Sequence, residues 1–355
     1  MINMVKKKFK RNIKRWFFPY LPLDSFEFKY PFGIPELPKV YLHSFGDKNP
    51  DKTFYVIWRD KLGAGFFSNF TQVVSHVLLA ESFGMVPIVD YCNFKTLFNI
   101  SGPVNGSTNA WEYYFKQLSP YTLEDVYSSK KVVIADGDYP HDIFCRTNKE
   151  YQNFWKKWII LQDNITDELK IHAEHFQGQR ILGVHLRGTD MNTTAGHPFA
   201  PTEKQTCILI DQLLEKHQPD KIFFLTDDKK YLHTFQKRYG NMLFTTNAYK
   251  TAAYNPYNDA PRENHRYLLG KEVLIDSLLL SKVNWIICGP SAVSTNAIRL
   301  STCIEKVYKI DNGFNSKNIL AAKYLYRIKK TLPPRYGGLP GKVLCMETNS
   351  STLYS

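Results

Sequence analysis

Short apolar runs alternate with stretches of helical period along most of the chain. TFYVIW (53–58) is a continuous apolar run. In TQVVSHVLLAESF (71–83), Val74, Val77, Leu78 and Phe83 fall at helical spacing before a stop at Gly84. VPIVDY (86–91) is apolar again. The order predicts a strand, a loop over RDKLGAGFFSN, a helix and a second strand. An irregular Asn- and Gly-rich stretch containing WEYYF (111–115) follows, and KVVIADGD (131–138) reads as a further strand ending in acids.

After a helical, aromatic stretch over 148–177 and a turn at Gly178, the alternation resumes. RILGVHL, KIFFLTDD (221–228) and VNWIICGPSAVS (283–294) read as strands, and TEKQTCILIDQLLEKH and KEVLIDSLLLS (271–281) as helices. Thr202 with Gln205 three residues on forms a capping box before the first of these helices. Strands that alternate with helices predict parallel sheets covered by helices. The expectation is an α/β protein with two Rossmann-like, doubly wound domains facing a central cleft. Its segments are a basic amphipathic segment (1–40), a first domain (41–177), a second domain (178–313) and a basic helix and tail (314–355).

The 355 residues, 43% hydrophobic and 15% aromatic, supply enough apolar material for two domains of about 150 residues. The six cysteines are dispersed without a CxxC, which reads as free thiols in a reducing compartment. No apolar stretch approaches the ~20 residues of a membrane span, and no signal peptide is recognisable. The expected location is cytoplasmic or peripheral at the inner face of the cytoplasmic membrane.

The net charge of +13 is not spread evenly. Residues 1–23 hold seven Lys or Arg and no acid, and residues 317–355 hold seven against Glu347 alone. Taking these fourteen bases and one acid from the totals of 46 and 33 leaves 32 of each in between. A neutral body argues against a nucleic-acid groove. In the first tail Val5, Phe9, Ile13 and Trp16 share a helical face. In the second, Leu320, Tyr324 and Ile328 share one face and Lys323, Arg327 and Lys330 another. Such segments suit an anionic membrane surface, where each cation contributes ~1 kcal/mol; they equally suit a solvated helix packed on the body.

In open parallel sheets ligands bind beyond the carboxyl ends of the strands. Three strands of the second half end in apt chemistry: VHLRGTD offers an imidazole, a guanidinium and a carboxylate, FFLTDD two carboxylates, and IICGPSAVS a Gly/Ser turn leading into a helix. A guanidinium grips phosphate oxygens through paired hydrogen bonds, and a helix start presents N–H groups to the same anion. Carboxylates accept from ribose hydroxyls or from the N1–H and N2–H₂ edge of guanine. Together these parts describe a nucleoside diphosphate site.

HLRGTD followed by a His-Pro, then FLTDD, then VLIDSLLLSKVNWIICGPSAVS, resembles the superfamily of GDP-fucose-dependent fucosyltransferases. That superfamily holds the α-1,6, nodulation and protein O-fucosyltransferases and bacterial proteins associated with surface polysaccharides. GAGFFSNFTQVVSHVLLAESFGMVPIVDY and AWEYYF resemble its first loop, helix and strand and a following Trp-Glu segment. The resemblance spans roughly 53–300 and implies a GT-B-like fold, inversion at the anomeric carbon, a GDP-fucose donor and no metal cofactor. It implies that Arg187 binds the β-phosphate and stabilises the leaving group, and that His185 helps hold the nucleotide. Asp276 would contact guanine, and Asp227 and Asp228 match the acidic pair. Ser291 matches the first of two phosphate-side serines. The second is Ala292 here, so a backbone N–H or Ser294 would serve instead. Gly63, Ala64, Gly65 and Phe66 would line the cleft from the first domain.

Where the α-1,6 branch carries a Glu thought to act as base, this chain has MNTTAGHP. The base candidates are Asp190 and His197, with Asp90 as a third. Three rival readings stand beside this one. One is a Mn²⁺-dependent GT-A enzyme built on DGD (136–138), another a transferase for a different nucleotide sugar. The third is a non-catalytic nucleotide-, glycan- or membrane-binding protein. The expected partners are a nucleotide sugar, a glycan acceptor and, through the tails, an anionic membrane.

Overall fold

The computed structural model describes residues 39–60, 63–136, 147–188, 193–252, 256–259 and 261–347. The described chain falls into two compact units, one built from residues up to 146 and 153–162, the other from 147–152 and 163 onward.

The first unit contains β1 (Lys39–His43), β2 (Phe54–Ile57), α1 (Phe66–Ser82), β3 (Val86–Val89), α2 (Leu123–Val126) and β4 (Val132–Asp136). Its sheet runs β1-β4-β2-β3, parallel except for β1 against β4. Every residue of β2 is buried, as expected of a central strand covered on both faces. The helix read as starting at Thr71 starts at Phe66. Gly65 is extended at its N-cap, and Phe66, Phe67 and Phe70 sink into an aromatic cluster with Phe98, Trp111, Tyr114 and Phe115. Burial of three aromatic side chains outweighs the loop-like look of the glycines before them.

The chain continues through α3 (Asn148–Trp158), which contributes to both units, and then α4 (Asp163–Ala173), β5 (Ile181–His185), α5 (Glu203–His217), β6 (Lys221–Leu225), α6 (Lys229–Tyr239) and β7 (Leu243–Phe244). It ends with α7 (His265–Leu280), β8 (Trp285–Cys288), α8 (Ala292–Leu300), β9 (Lys306–Asp311), α9 (Ile319–Thr331) and β10 (Lys342–Glu347). The second sheet runs β10-β9-β8-β5-β6-β7, with only the edge strand β10 antiparallel. β5 and β8 are buried throughout, and Leu182, Val184, Phe224, Trp285 and Ile287 form the core with Leu209, Ile210 and Leu213 of α5 and Phe235 of α6. The capping box before α5 is present in both halves: the Gln205 N–H donates to Thr202 Oγ1 (3.2 Å) and the Thr202 N–H to Gln205 Oε1 (3.0 Å).

The chain leaves β5 toward β6 and β7, then returns to build β8 and β9 on its other side. The strand order therefore reverses between β5 and β8, and their carboxyl ends mark the switch point where such sheets bind ligands. Among the described residues no helix is long and apolar enough to cross a membrane, and Cys92, Cys207, Cys288, Cys303 and Cys345 are free thiols.

Candidate functional site

His185 ends β5 and pairs in register with Leu225 of β6 and Cys288 of β8. Its imidazole is buried, and Nδ1 has no hydrogen-bond partner among the described residues. Burial, aided by the Arg187 charge, pushes its pKa down to about 3, so the ring is neutral at physiological pH. Two residues on, the Arg187 guanidinium is about one-third exposed, with Nε 3.9 Å from Asp227 Oδ2. The other Asp227 oxygen accepts the Gly188 N–H at 3.0 Å. One carboxylate thus holds both the guanidinium and the backbone beside it. A Cβ at Gly188 would lie 2.5 Å from the Tyr231 ring, so only glycine lets this turn pass α6.

The acidic pair divides its labour. Asp227 faces Arg187, whereas Asp228 Oδ1 accepts the Lys230 and Tyr231 N–H groups (2.7 and 3.3 Å) as the N-cap of α6. Asp228 Oδ1 therefore organises the start of α6.

On the adjoining strand, β8 ends at Cys288 and Ser291 caps α8, its hydroxyl accepting the Val293 N–H at 3.3 Å. Adjacent strand ends lie about 4.8 Å apart, so the start of α8 and Arg187 approach the same space. Ala292 is exposed. Ser294 is buried and turns its hydroxyl back to the Gly289 and Ser291 carbonyls (3.4 and 3.2 Å). Of the two expected substitutes for a second serine, the Ser294 hydroxyl is engaged within the helix start, and the first-turn N–H groups other than that of Val293 are left to meet an anion. Gly289 keeps that turn in place, because a Cβ there would sit 2.6 Å from Pro201 Cδ. Gly289→Ala is expected to cost about 1–3 kcal/mol of stability by overpacking, which a thermal melt measures.

Asp276 on α7 accepts the Thr246 hydroxyl at 2.6 Å. Burial pushes its carboxyl up to about 6, against the opposing effects of the Lys250 charge and the Thr246 hydrogen bond. The sequence offered no sign of the loop that surrounds it. The Tyr249 N–H donates to Glu272 (3.1 Å), which is held by both Nη atoms of Arg262 (2.6 and 2.8 Å), and the Thr251 N–H donates to the Asp227 carbonyl (2.9 Å). Between them the half-buried Lys250 donates to the Ala248 carbonyl (2.6 Å). Burial lowers its pKa while Asp276, Glu272 and Asp227 act to hold the proton on. Lys250 is thus a cation within electrostatic reach of Asp276, Glu272 and Asp227, and an isolated lysine in NAYKT carries no motif. A cavity of about 610 Å³ opens against Thr246 and is lined by His172, His175, Phe176, Phe244 and Leu279.

Of the base candidates, Asp190 lies outside the described residues. His197 is exposed on a loop pinned to residues 313–316: the Gly196 N–H donates to Ser316 (2.9 Å), the Phe199 N–H to Gly313 (2.9 Å), and the Asn315 N–H to the His197 carbonyl (2.8 Å). Asp90 is fully buried, and its oxygens accept from the Cys92 and Asn93 N–H groups, the Asn93 amide and the Tyr127 hydroxyl (2.7–3.1 Å). It holds a turn together, with no oxygen turned toward solvent, and is set aside as a base.

In the first unit Gly63 is exposed and Ala64 and Gly65 are half-buried. Phe66 is a core residue, with ring centroids 5.0–5.5 Å from Phe67, Phe98 and Tyr114. Of the DGD triplet, Asp136 ends β4, and Gly137 and Asp138 lie outside the described residues. Among the described residues no three His, Cys, Asp or Glu side chains gather in a group that could hold a metal.

No protein-family model and no curated protein matches the chain. Solved structures do. The α-1,6-fucosyltransferase NodZ soaked with GDP-fucose aligns over 83% of this chain and 99% of its own, with a TM-score of 0.50 and 16% identity. The selenomethionine form of NodZ from Bradyrhizobium aligns over the same shares with a TM-score of 0.52 and 16% identity. The likeness read from short motifs thus extends to the fold.

Proposed function

We propose that this chain is a GT-B-like, inverting glycosyltransferase of the GDP-fucose-dependent superfamily. In this reading it moves L-fucose from GDP-fucose to a hydroxyl of a glycan acceptor of the surface-polysaccharide or lipopolysaccharide type. The observation that carries the reading is Arg187 two residues beyond β5 at the β5–β8 switch point, its Nε 3.9 Å from Asp227, with α8 starting after the neighbouring strand β8, in a fold like that of a solved fucosyltransferase soaked with GDP-fucose. As the bond between the anomeric carbon and the phosphate oxygen breaks, its electron pair and negative charge pass to the β-phosphate. The guanidinium fork and the N–H groups of α8 receive that charge without a metal ion. Asp276 accepts from the guanine edge. His185, neutral, offers Nδ1 to a nucleotide hydroxyl. The acceptor oxygen attacks from the opposite face of the sugar and loses its proton to Asp190 or His197. The two basic tails support a peripheral place on an anionic membrane as part of the same reading.

The test is GDP release from a panel of nucleotide sugars offered with glycan acceptors, with and without EDTA. GDP-fucose is expected to be consumed at the same rate in both. Turnover of another nucleotide sugar alone would change the donor, strict Mn²⁺ dependence would overturn the metal-free mechanism, and GDP binding without turnover of any donor would leave a binding protein.

A further inference from the structure

α9 is docked by one edge only. Ala322 and Tyr326 are buried, Tyr326 packing with Phe199 and Leu339, and Asn318 caps the helix through the Leu320 and Ala321 N–H groups (2.9 and 3.2 Å). The opposite face stands in water. Leu320 is 73% exposed, Tyr324 60% and Ile328 55%, and these three follow one another along the helix. Phe314 before the helix and Tyr336 after it are 71% and 64% exposed. Large side chains left in water in a continuous row mark a contact surface. The row is flanked by Lys323, Arg327 and Lys330, all exposed. Between Asp311 and Glu347 the chain has seven Lys or Arg and no acid, and Glu347 itself faces Lys306.

We propose that this face of α9 docks on an anionic lipid bilayer, with Leu320, Tyr324 and Ile328 in the headgroup–acyl boundary and the cationic row on the lipid phosphates. An exposed apolar ridge with a purely cationic edge is the pattern of a helix lying in a membrane interface. Charge disfavours the other occupants. The amphipathic segment 1–23 of the same chain carries seven bases and no acid, and a second copy would bring a cationic row against its like. The placement deepens the proposed function. The strand-like stretch 313–316 that leads into α9 is the one that pins the His197 loop, so bilayer contact would hold that loop near an acceptor glycan carried on lipid.

The test is co-sedimentation of the full chain with phosphatidylcholine vesicles with and without phosphatidylglycerol. Wild type is expected to bind only the vesicles containing phosphatidylglycerol, and less so as salt rises. A variant combining Leu320→Gln, Tyr324→Ser and Ile328→Gln is expected to bind about tenfold or more weakly, and one combining Lys323→Gln, Arg327→Gln and Lys330→Gln similarly so. Thermal melts and GDP binding should match wild type, since these side chains are exposed and stand on the face of α9 opposite the buried Ala322 and Tyr326. Wild-type indifference to phosphatidylglycerol would overturn the proposal. So would undiminished binding by the α9 variants with loss of binding on removing residues 1–23, or a wild-type dimer that the apolar variant makes monomeric. Failure of wild type to bind GDP would sink the proposed reaction and leave the docking result untouched.

Discussion

Arg187→Ala is expected to slow GDP release from the sugar donor by about 10²–10³-fold, corresponding to the roughly 3–4 kcal/mol lost when one transition-state charge contact is removed from an active site. The argument rests on where charge develops. In the proposed mechanism the diphosphate already carries negative charge in the ground state, and the α8 N–H groups share in binding it. The charge added as the glycosidic bond breaks falls on the β-phosphate beside the guanidinium. kcat should therefore fall much more than GDP affinity. Arg187→Lys should recover part of the loss, since a point charge replaces the net charge and not the paired hydrogen bonds. Stability should hardly change, because the guanidinium is about one-third exposed and its Nε lies 3.9 Å from Asp227, a geometry worth little to folding. Turnover by Arg187→Ala within a few fold of wild type would remove the leaving-group role. Equal losses in kcat and GDP affinity would reassign Arg187 to ground-state binding.

Arg187 was legible in the sequence for the same reason that Lys250 was not. A residue two positions beyond a buried apolar run sits at a strand end whatever the rest of the chain does, so HLRGTD and CGPSAVS announce their place through local pattern alone. Lys250, Thr246 and Glu272 meet only because a loop after the two-residue strand β7 folds onto α7, and no spacing in the sequence encodes that. β7 and the edge strand β10 escaped for a related reason: one is too short to show a period, and the other, KVLCME, follows a Pro- and Gly-rich stretch and is largely exposed. The polar groups at the strand ends also have local partners that the sequence did not announce. Asp228 and Ser294 were assigned to a ligand because they are polar and near a strand end. Helix starts there also engage such side chains locally: Asp228 accepts as the N-cap of α6, and Ser294 donates its hydroxyl to the Gly289 and Ser291 carbonyls. The glycines before Phe66 read as a loop reaching to Thr71, but they end at a helix whose first turn is aromatic core.

Asp276→Asn is expected to weaken GDP binding by about 10–100-fold while making the unliganded protein more stable at pH 8. One carboxylate oxygen is committed to the Thr246 hydroxyl at 2.6 Å, which leaves the other to accept from guanine. A hydrogen bond to a charged acceptor contributes about 1.5–3 kcal/mol, and an amide oxygen less. The stability effect has the opposite sign. The carboxyl sits at about 6 in the folded chain, above its ordinary value near 3.8, chiefly because burial disfavours the charge. Between those two values the folded state binds more protons than the unfolded, so stability falls as pH rises through the interval, and above pH 6 the full cost is borne. Asparagine removes that cost, expected to be about 1–3 kcal/mol at pH 8 less what Lys250 loses with its counter-charge, and its melting temperature should no longer fall between pH 4 and 6 on this account. For wild type the same titration predicts that GDP affinity declines as pH drops below 6, and that the variant shows no such decline. Calorimetry with GDP at pH 5 and pH 8, with melts at both, measures all four quantities. A variant that binds GDP like wild type would take Asp276 out of the site. A variant less stable than wild type at pH 8 would mean that the carboxylate contributes to folding through Lys250 and Thr246 more than its burial costs.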